Sequence, residues 1–168
     1  RAREQVAELI GCCEDEIVFT SGGTESNHLA IAGAWEIQKK KTGLGHIITT
    51  CVEHPSVLNL LAALEATGLK VTYLDVDRAG HIDLHKLKEA IRKETFMVSC
   101  ILGNNETGVI SPIKKIGEIT KEANLLLHTD AVQAAGRIPI DLKDTGVDLL
   151  SFSGHKMHGP KGAGGLFV

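Results

Sequence analysis

Lys156 stands in a polar, glycine-rich stretch, Ser153-Gly154-His155-Lys156-Met157-His158-Gly159-Pro160-Lys161-Gly162, between two apolar runs. Glycines let a backbone approach a bulky ligand closely. In an open loop such a lysine is only a solvated cation. Against a carbonyl compound in a partly desolvated pocket, its amine forms an imine and later shuttles protons. Asp130 ends a strongly apolar run, with Gln133 three residues on. A carboxylate there either caps the short Ala131–Ala135 segment or is a buried acid awaiting a cation. A protonated pyridine nitrogen would be a fitting partner, because the paired carboxylate keeps the ring charged and electron-withdrawing. Gln133 could donate to a phenolic oxygen on such a ring.

Two further groups invite a role. Ser21-Gly22-Gly23-Thr24 leads straight into a helical pattern. Free amide N–H groups, the positive end of the helix dipole and a hydroxyl converge there, which suits a phosphate as well as it suits an ordinary turn and cap. The spacing is not that of a nucleotide-binding Walker loop, which requires Gly-Lys-Ser/Thr. His54 follows Glu53 at a helix start. It reads as a surface cap or as a ring that stacks on a planar cofactor and exchanges protons near its reactive carbon. A metal centre does not fit. His81 and His85 have no glutamate after His81, and His155 and His158 have no cysteine partners.

The elements that must position these residues alternate. Strand-like runs at 17–20, 46–50, 70–74, 96–102, 125–128 and 147–152 are separated by helical patterns. One helix runs from about Thr24 to Lys40, with Lys39, Lys40 and Lys41 a solvated face at its negative pole. Others begin near Pro55, after the cap Asp83, and at Pro112. This βαβαβαβ order predicts an α/β fold, a mainly parallel sheet flanked by helices and linked by right-handed crossovers. Ligands gather at the carboxyl ends of such strands. The polar motifs fall there five times: Ser21–Glu25, Glu53-His54, Gly103–Gly108, Asp130 and Ser153–Lys156.

Composition bounds the rest. A chain of 168 residues with 43% hydrophobic and 23% charged residues suits one globular domain with its own core. A net charge of −3 with interspersed signs leaves no basic stripe for nucleic acid. No apolar run approaches the ~18 residues of a membrane span. Cys12, Cys13, Cys51 and Cys100 show no framework spacing, which fits a reducing compartment and a cytoplasmic protein. The adjacent Cys12 and Cys13 are assigned no role. The opening residues read as the middle of a helix with Val6, Leu9 and Ile10 on one face, and the closing Gly-Gly-Leu-Phe-Val as a strand beginning. Residues 1–168 are therefore expected to be one domain, incomplete at both ends.

Taken together, Phe19–Asn27 (Phe-Thr-Ser-Gly-Gly-Thr-Glu-Ser-Asn), Glu53–Val57 (Glu-His-Pro-Ser-Val), Asn104–Gly108 (Asn-Asn-Glu-Thr-Gly), His128–Gln133 (His-Thr-Asp-Ala-Val-Gln) and Ser151–Gly162 resemble, in order and approximate spacing, the cysteine desulfurases. These are class V aminotransferase-like, fold-type-I pyridoxal-phosphate enzymes. The resemblance implies the large cofactor-binding domain of that fold, with a mainly parallel seven-stranded-type sheet flanked by helices, in a homodimer. It implies that Lys156 holds pyridoxal 5'-phosphate as a Schiff base, that Asp130 pairs with the pyridine nitrogen and that Gln133 meets the ring oxygen. His54 would stack on the ring. Gly23, Thr24, Ser153 and His155 would cradle the phosphate, and Asn105 would lie near the cofactor and the substrate carboxylate.

The implied reaction takes L-cysteine to alanine, the freed lysine removing the α-proton. A mobile-loop cysteine accepts the sulfur as a persulfide and passes it to an acceptor protein, for iron–sulfur clusters or thio-cofactors. In the family that loop, an arginine gripping the substrate carboxylate, the small C-terminal domain and a phosphate ligand lent by the partner subunit all lie beyond the position of Val168. This chain is therefore expected to bind cofactor without desulfurating cysteine. A selenocysteine lyase shares most of these motifs, and a non-catalytic cofactor-binding or scaffold domain is the alternative of another class.

Overall fold

The computed structural model describes all residues, 1–168. Seven strands form one sheet: β1 (Ile17–Thr20), β2 (His46–Thr50), β3 (Lys70–Leu74), β4 (Thr95–Ser99), β5 (Leu126–Asp130), β6 (Leu149–Ser153) and β7 (Gly164–Phe167). Their spatial order is β1-β7-β6-β5-β4-β2-β3. Only β7 is reversed, pairing antiparallel with both β1 and β6, while the other junctions are parallel. With one reversed strand between them, β1 and β6 point the same way. The carboxyl ends of six strands thus meet at one edge.

Five α-helices cover the two faces: α1 (Ala2–Ile10), α2 (Gly23–Thr42), α3 (Pro55–Glu65), α4 (Leu84–Ala90) and α5 (Ile113–Glu122). The period-2 alternation of the strands decides which face each residue serves. Ile47, Met97, Leu149 and Leu166 pack under Ile31, Trp35, Val57 and Leu61 of α2 and α3. Their neighbours Ile48, Val98, Leu127 and Leu150 pack on the opposite face with Ile10, Leu87 and Ile116 of α1, α4 and α5. Each such side chain contributes about 1.5–3 kcal/mol on burial. No helix is long and apolar enough to cross a membrane.

Two expectations need correction. On α1 the buried residues are Ala7 and Ile10, whereas Leu9 is 45% exposed. The helix meets the core along the i, i+3 row through position 7, and Leu9 falls off that row. The run at 96–102 is a strand only from Thr95 to Ser99. Beyond it the amides of Cys100 and Leu102 still donate to the carbonyls of His128 and Asp130, so this segment follows β5 out to the edge of the sheet.

The start of α2 is seated by glycines. A Cβ on Gly164 would lie 2.6 Å from the Cα of Gly22, and one on Gly165 would strike the Phe152 ring. The Ser26 hydroxyl on the first turns of α2 donates to the Gly165 carbonyl at 2.9 Å. Helix and strand therefore approach to backbone contact. Gly164→Ala should cost about 1–3 kcal/mol, because the obstructing atoms are main chain that cannot rotate aside. Urea unfolding measures this.

Candidate functional site

A cavity of about 340 Å³ opens where the strand ends meet. All nine residues singled out from the sequence line it: Gly23, Thr24, His54, Asn105, Asp130, Gln133, Ser153, His155 and Lys156. Asn27, Ser56, Ile101 and Val132 line it as well. His81, beside Asp77, and His85, beside Glu89 on α4, lie elsewhere on the surface. The four cysteines are free, and burial together with Glu16 pushes the Cys12 thiol up to about 11.

Asp130 ends β5 with 3% exposure. It is both buried and a cap for the turn that follows. Its Oδ1 accepts the Val132 N–H at 3.0 Å, closing the turn that follows, and its Oδ2 accepts from Asn27 Nδ2 at 2.8 Å. Burial raises its pKa above the ordinary carboxylate range, and these two hydrogen bonds and His54 pull the other way. The second amide hydrogen of Asn27 reaches Ser56 Oγ at 3.0 Å. Ser56 Oγ lies 2.7 Å from His54 Nδ1, which also accepts the Ser56 N–H at 3.1 Å. Because Nδ1 accepts the Ser56 N–H it carries no proton, so the Ser56 hydroxyl donates to it as well and the neutral ring is the Nε2–H tautomer. A chain of polar contacts thus runs from the Asp130 carboxylate to the imidazole, whose ring is exposed as the N-cap of α3.

On the opposite wall, the first turn of α2 has N–H groups with no intrahelical acceptor, at the positive end of a 20-residue helix. Val132 packs so closely that a Cβ on Gly23 would be 2.5 Å from its Cγ2. Buried Ser153 lies 2.8 Å from His155 Nδ1. Lys156, half-buried on a single 3₁₀ turn after β6, forms no ion pair. Gln133 follows the Asp130 turn, and Asn105 sits in a loop folded by its neighbour: Asn104 Oδ1 accepts the Glu106 and Thr107 amides at 3.0 and 2.8 Å.

Sequence reasoning gave no role of their own to Asn27 and Glu53. Asn27 lies one helical turn beyond Thr24 on the same face, so the spacing was a usable signal. Glu53 is 4% exposed, and burial pushes its carboxyl up to about 8.

The chain matches the family described as aminotransferase class-V over residues 1–168. It belongs to the class-V aminotransferase family. Members of this family depend in general on pyridoxal phosphate. Within it, the chain is 50% identical over 167 residues to cysteine desulfurase IscS of Anaeromyxobacter, covering 99% of this chain and 41% of the relative. It is 50% identical to cysteine desulfurase 2 of Trichormus variabilis, covering 100% of this chain and 42% of that one. Among solved structures, SspA in complex with cysteine superposes with a TM-score of 0.94 at 44% identity, covering 99% of this chain and 48% of that chain. A NifS-like protein gives 0.94 at 41% identity, covering 99% and 46%. The chain thus spans less than half the length of these relatives.

Asn27→Ala should leave Asp130 Oδ2 buried without a donor and cost about 1–3 kcal/mol at neutral pH. Chemical denaturation checks this. Asn27→Asp, which sets a second carboxyl beside the first, should cost more.

Proposed function

We propose that the cavity holds pyridoxal 5'-phosphate, with residues 1–168 acting as one cofactor-binding domain, and that the protein bearing it is a cysteine desulfurase. The observation that carries this reading is Asp130, a buried carboxylate facing the cavity with N–H donors on both oxygens but no cationic side chain in ion-pair range. Such a group is costly unless a cation meets it. A pyridinium N–H would supply that cation. The rest of the lining fits the same ligand. Gly23 has no room for a side chain under Val132, which leaves the α2 amides bare for a phosphate, and Thr24, Ser153 and His155 add polar hydrogens around it.

When bound, the cofactor would supply an electron sink for the substrate α-carbon. Lys156 Nζ would bond its aldehyde carbon and, once displaced by the substrate amine, take the proton from that α-carbon. Asp130 would keep the ring nitrogen protonated. Gln133 would donate to the ring oxygen, and His54 would cover one face of the ring. Asn105 would approach the substrate carboxylate.

L-cysteine as substrate draws on the cysteine-bound neighbour, and the desulfurase reading on relatives that share half of the sequence. A second copy of the chain and a sulfur-acceptor protein are the proposed partners. Free cysteines suit a reducing compartment, and we take the cytoplasm, although a mitosomal cysteine desulfurase of Trachipleistophora hominis is 50% identical over 167 residues.

The chain incubated with pyridoxal phosphate should turn yellow, and borohydride reduction followed by peptide mapping should place the pyridoxyl adduct on Lys156. A colourless protein, or an adduct on another lysine, overturns the assignment. The same chain given cysteine should release no sulfide, whereas the full-length protein should release it and lose at least ~100-fold in rate on Lys156→Ala.

A further inference from the structure

We propose that Glu53 is a positioning residue of the site, clamping the backbone that bears Ile101 to the end of β2 and so setting the width of the cavity between His54 and the loop after β4. The inference rests on the cavity being the cofactor site.

The sheet itself stops short of this task. The parallel pairing of β2 with β4 ends at Ile48 and Val98, yet both chains run on to the cavity, one to His54 and the other to Ile101 and Asn105. Beyond that point the contacts holding them together come from side chains. Glu53 Oε1 accepts the Ile101 N–H at 3.0 Å and the Thr50 hydroxyl at 2.6 Å. Asn104 Nδ2 returns a hydrogen bond to the Val52 carbonyl at 2.9 Å. Each segment thus sends one side chain to the backbone of the other. Residues 52 and 53 on one side and 101 and 104 on the other flank the lining residues His54 and Asn105.

Charge decides the state in which Glu53 can act. The ionisable groups facing it are Asp130 at the end of β5 and the Cys100 thiol after β4, while His54, next in the chain, bears on Asp130. No lysine or arginine balances it. Two carboxylates in one dry wall cannot both ionise cheaply, and Asp130 is the one with two N–H donors and a cavity beside it. Glu53 therefore keeps its proton, in accord with its pKa of about 8. Oε1 takes both donors, which leaves the proton on Oε2, a buried atom with no partner of its own. A neutral Glu53 clamps the wall without competing with Asp130 for the cation.

The unfolded chain releases this proton near 4.5, and the folded one near 8. The stability of the fold therefore declines through this group as pH rises across that interval, and levels off above it. Above about pH 8 the second negative charge also loads the site.

The test compares the parent chain with Glu53→Gln, which keeps the acceptor and the neutral state, and with Glu53→Ala, which keeps neither. Amide hydrogen exchange of Ile101 is read without cofactor, and pyridoxal phosphate affinity is read from about pH 6 to 9. At neutral pH, E53Q should match the parent in both, while E53A should exchange Ile101 faster and bind cofactor about tenfold more weakly. Toward pH 9 the parent should lose affinity relative to E53Q. Unchanged Ile101 exchange in E53A, weakening of E53Q to the level of E53A, or identical alkaline profiles for parent and E53Q would each overturn the proposal. If the chain takes up no cofactor, the cofactor reading fails, and Ile101 exchange still decides the clamp. If E53A does not fold, the exchange and pH profile of E53Q decide it.

Discussion

A carboxylate taken out of water must be met by donors or lose its charge, and Asp130 imposes that demand on the centre of the site. One oxygen is met by the turn that follows it, which also brings Val132 and Gln133 to the cavity. The other is met by Asn27, and this contact draws α2 toward β5. Asn27 in turn engages Ser56, which fixes the tautomer of His54. Satisfying one acid therefore aligns side chains from a strand and two helices, and leaves the face toward the cavity open to a cation.

The parallel sheet makes this economical. Because six strands end at one edge, short excursions from five of them can share a ligand without long loops. The cost is a dense collection of acids and dipoles in a small volume. Two carboxyls, Glu53 and Asp130, lie near enough to influence each other, and they divide the roles of proton holder and charge bearer. Elsewhere in the sheet the same burial acts on imidazoles. His128, between Ser99 and Ser151, has its pKa lowered to about 3, so it stays neutral and serves as a polar rung across three strands.

Much of this was legible in the sequence, since strands, helices and reactive motifs each leave a local trace. Lys156, Asp130 and Gly23-Thr24 sit next to elements whose periodicity gives their position, and all line the cavity. What was not legible depends on distant partners. Asn27 looks like an ordinary polar residue inside a helix until Asp130, 103 residues on, is brought to it. Glu53 stands in the sequence only as the residue before His54, and only tertiary burial makes it a neutral acid. Leu9 was misplaced because a short helix has more apolar residues than its packing row can use. The residues that tune the site are harder to read than those that act in it.

The place of β1 in the sheet has a consequence for the order of assembly. Its only sheet partner is β7, in the register Ile17↔Phe167 to Thr20↔Gly164, so the strand leading into the glycine turn and α2 waits for residues synthesised almost 150 positions later. Such a pairing closes a long loop and comes with a slow step. A growing polypeptide can stack the inner strands early, but it acquires its anion seat only once β7 has been made. Cofactor capture would then follow the closing of this sheet rather than guide its beginning.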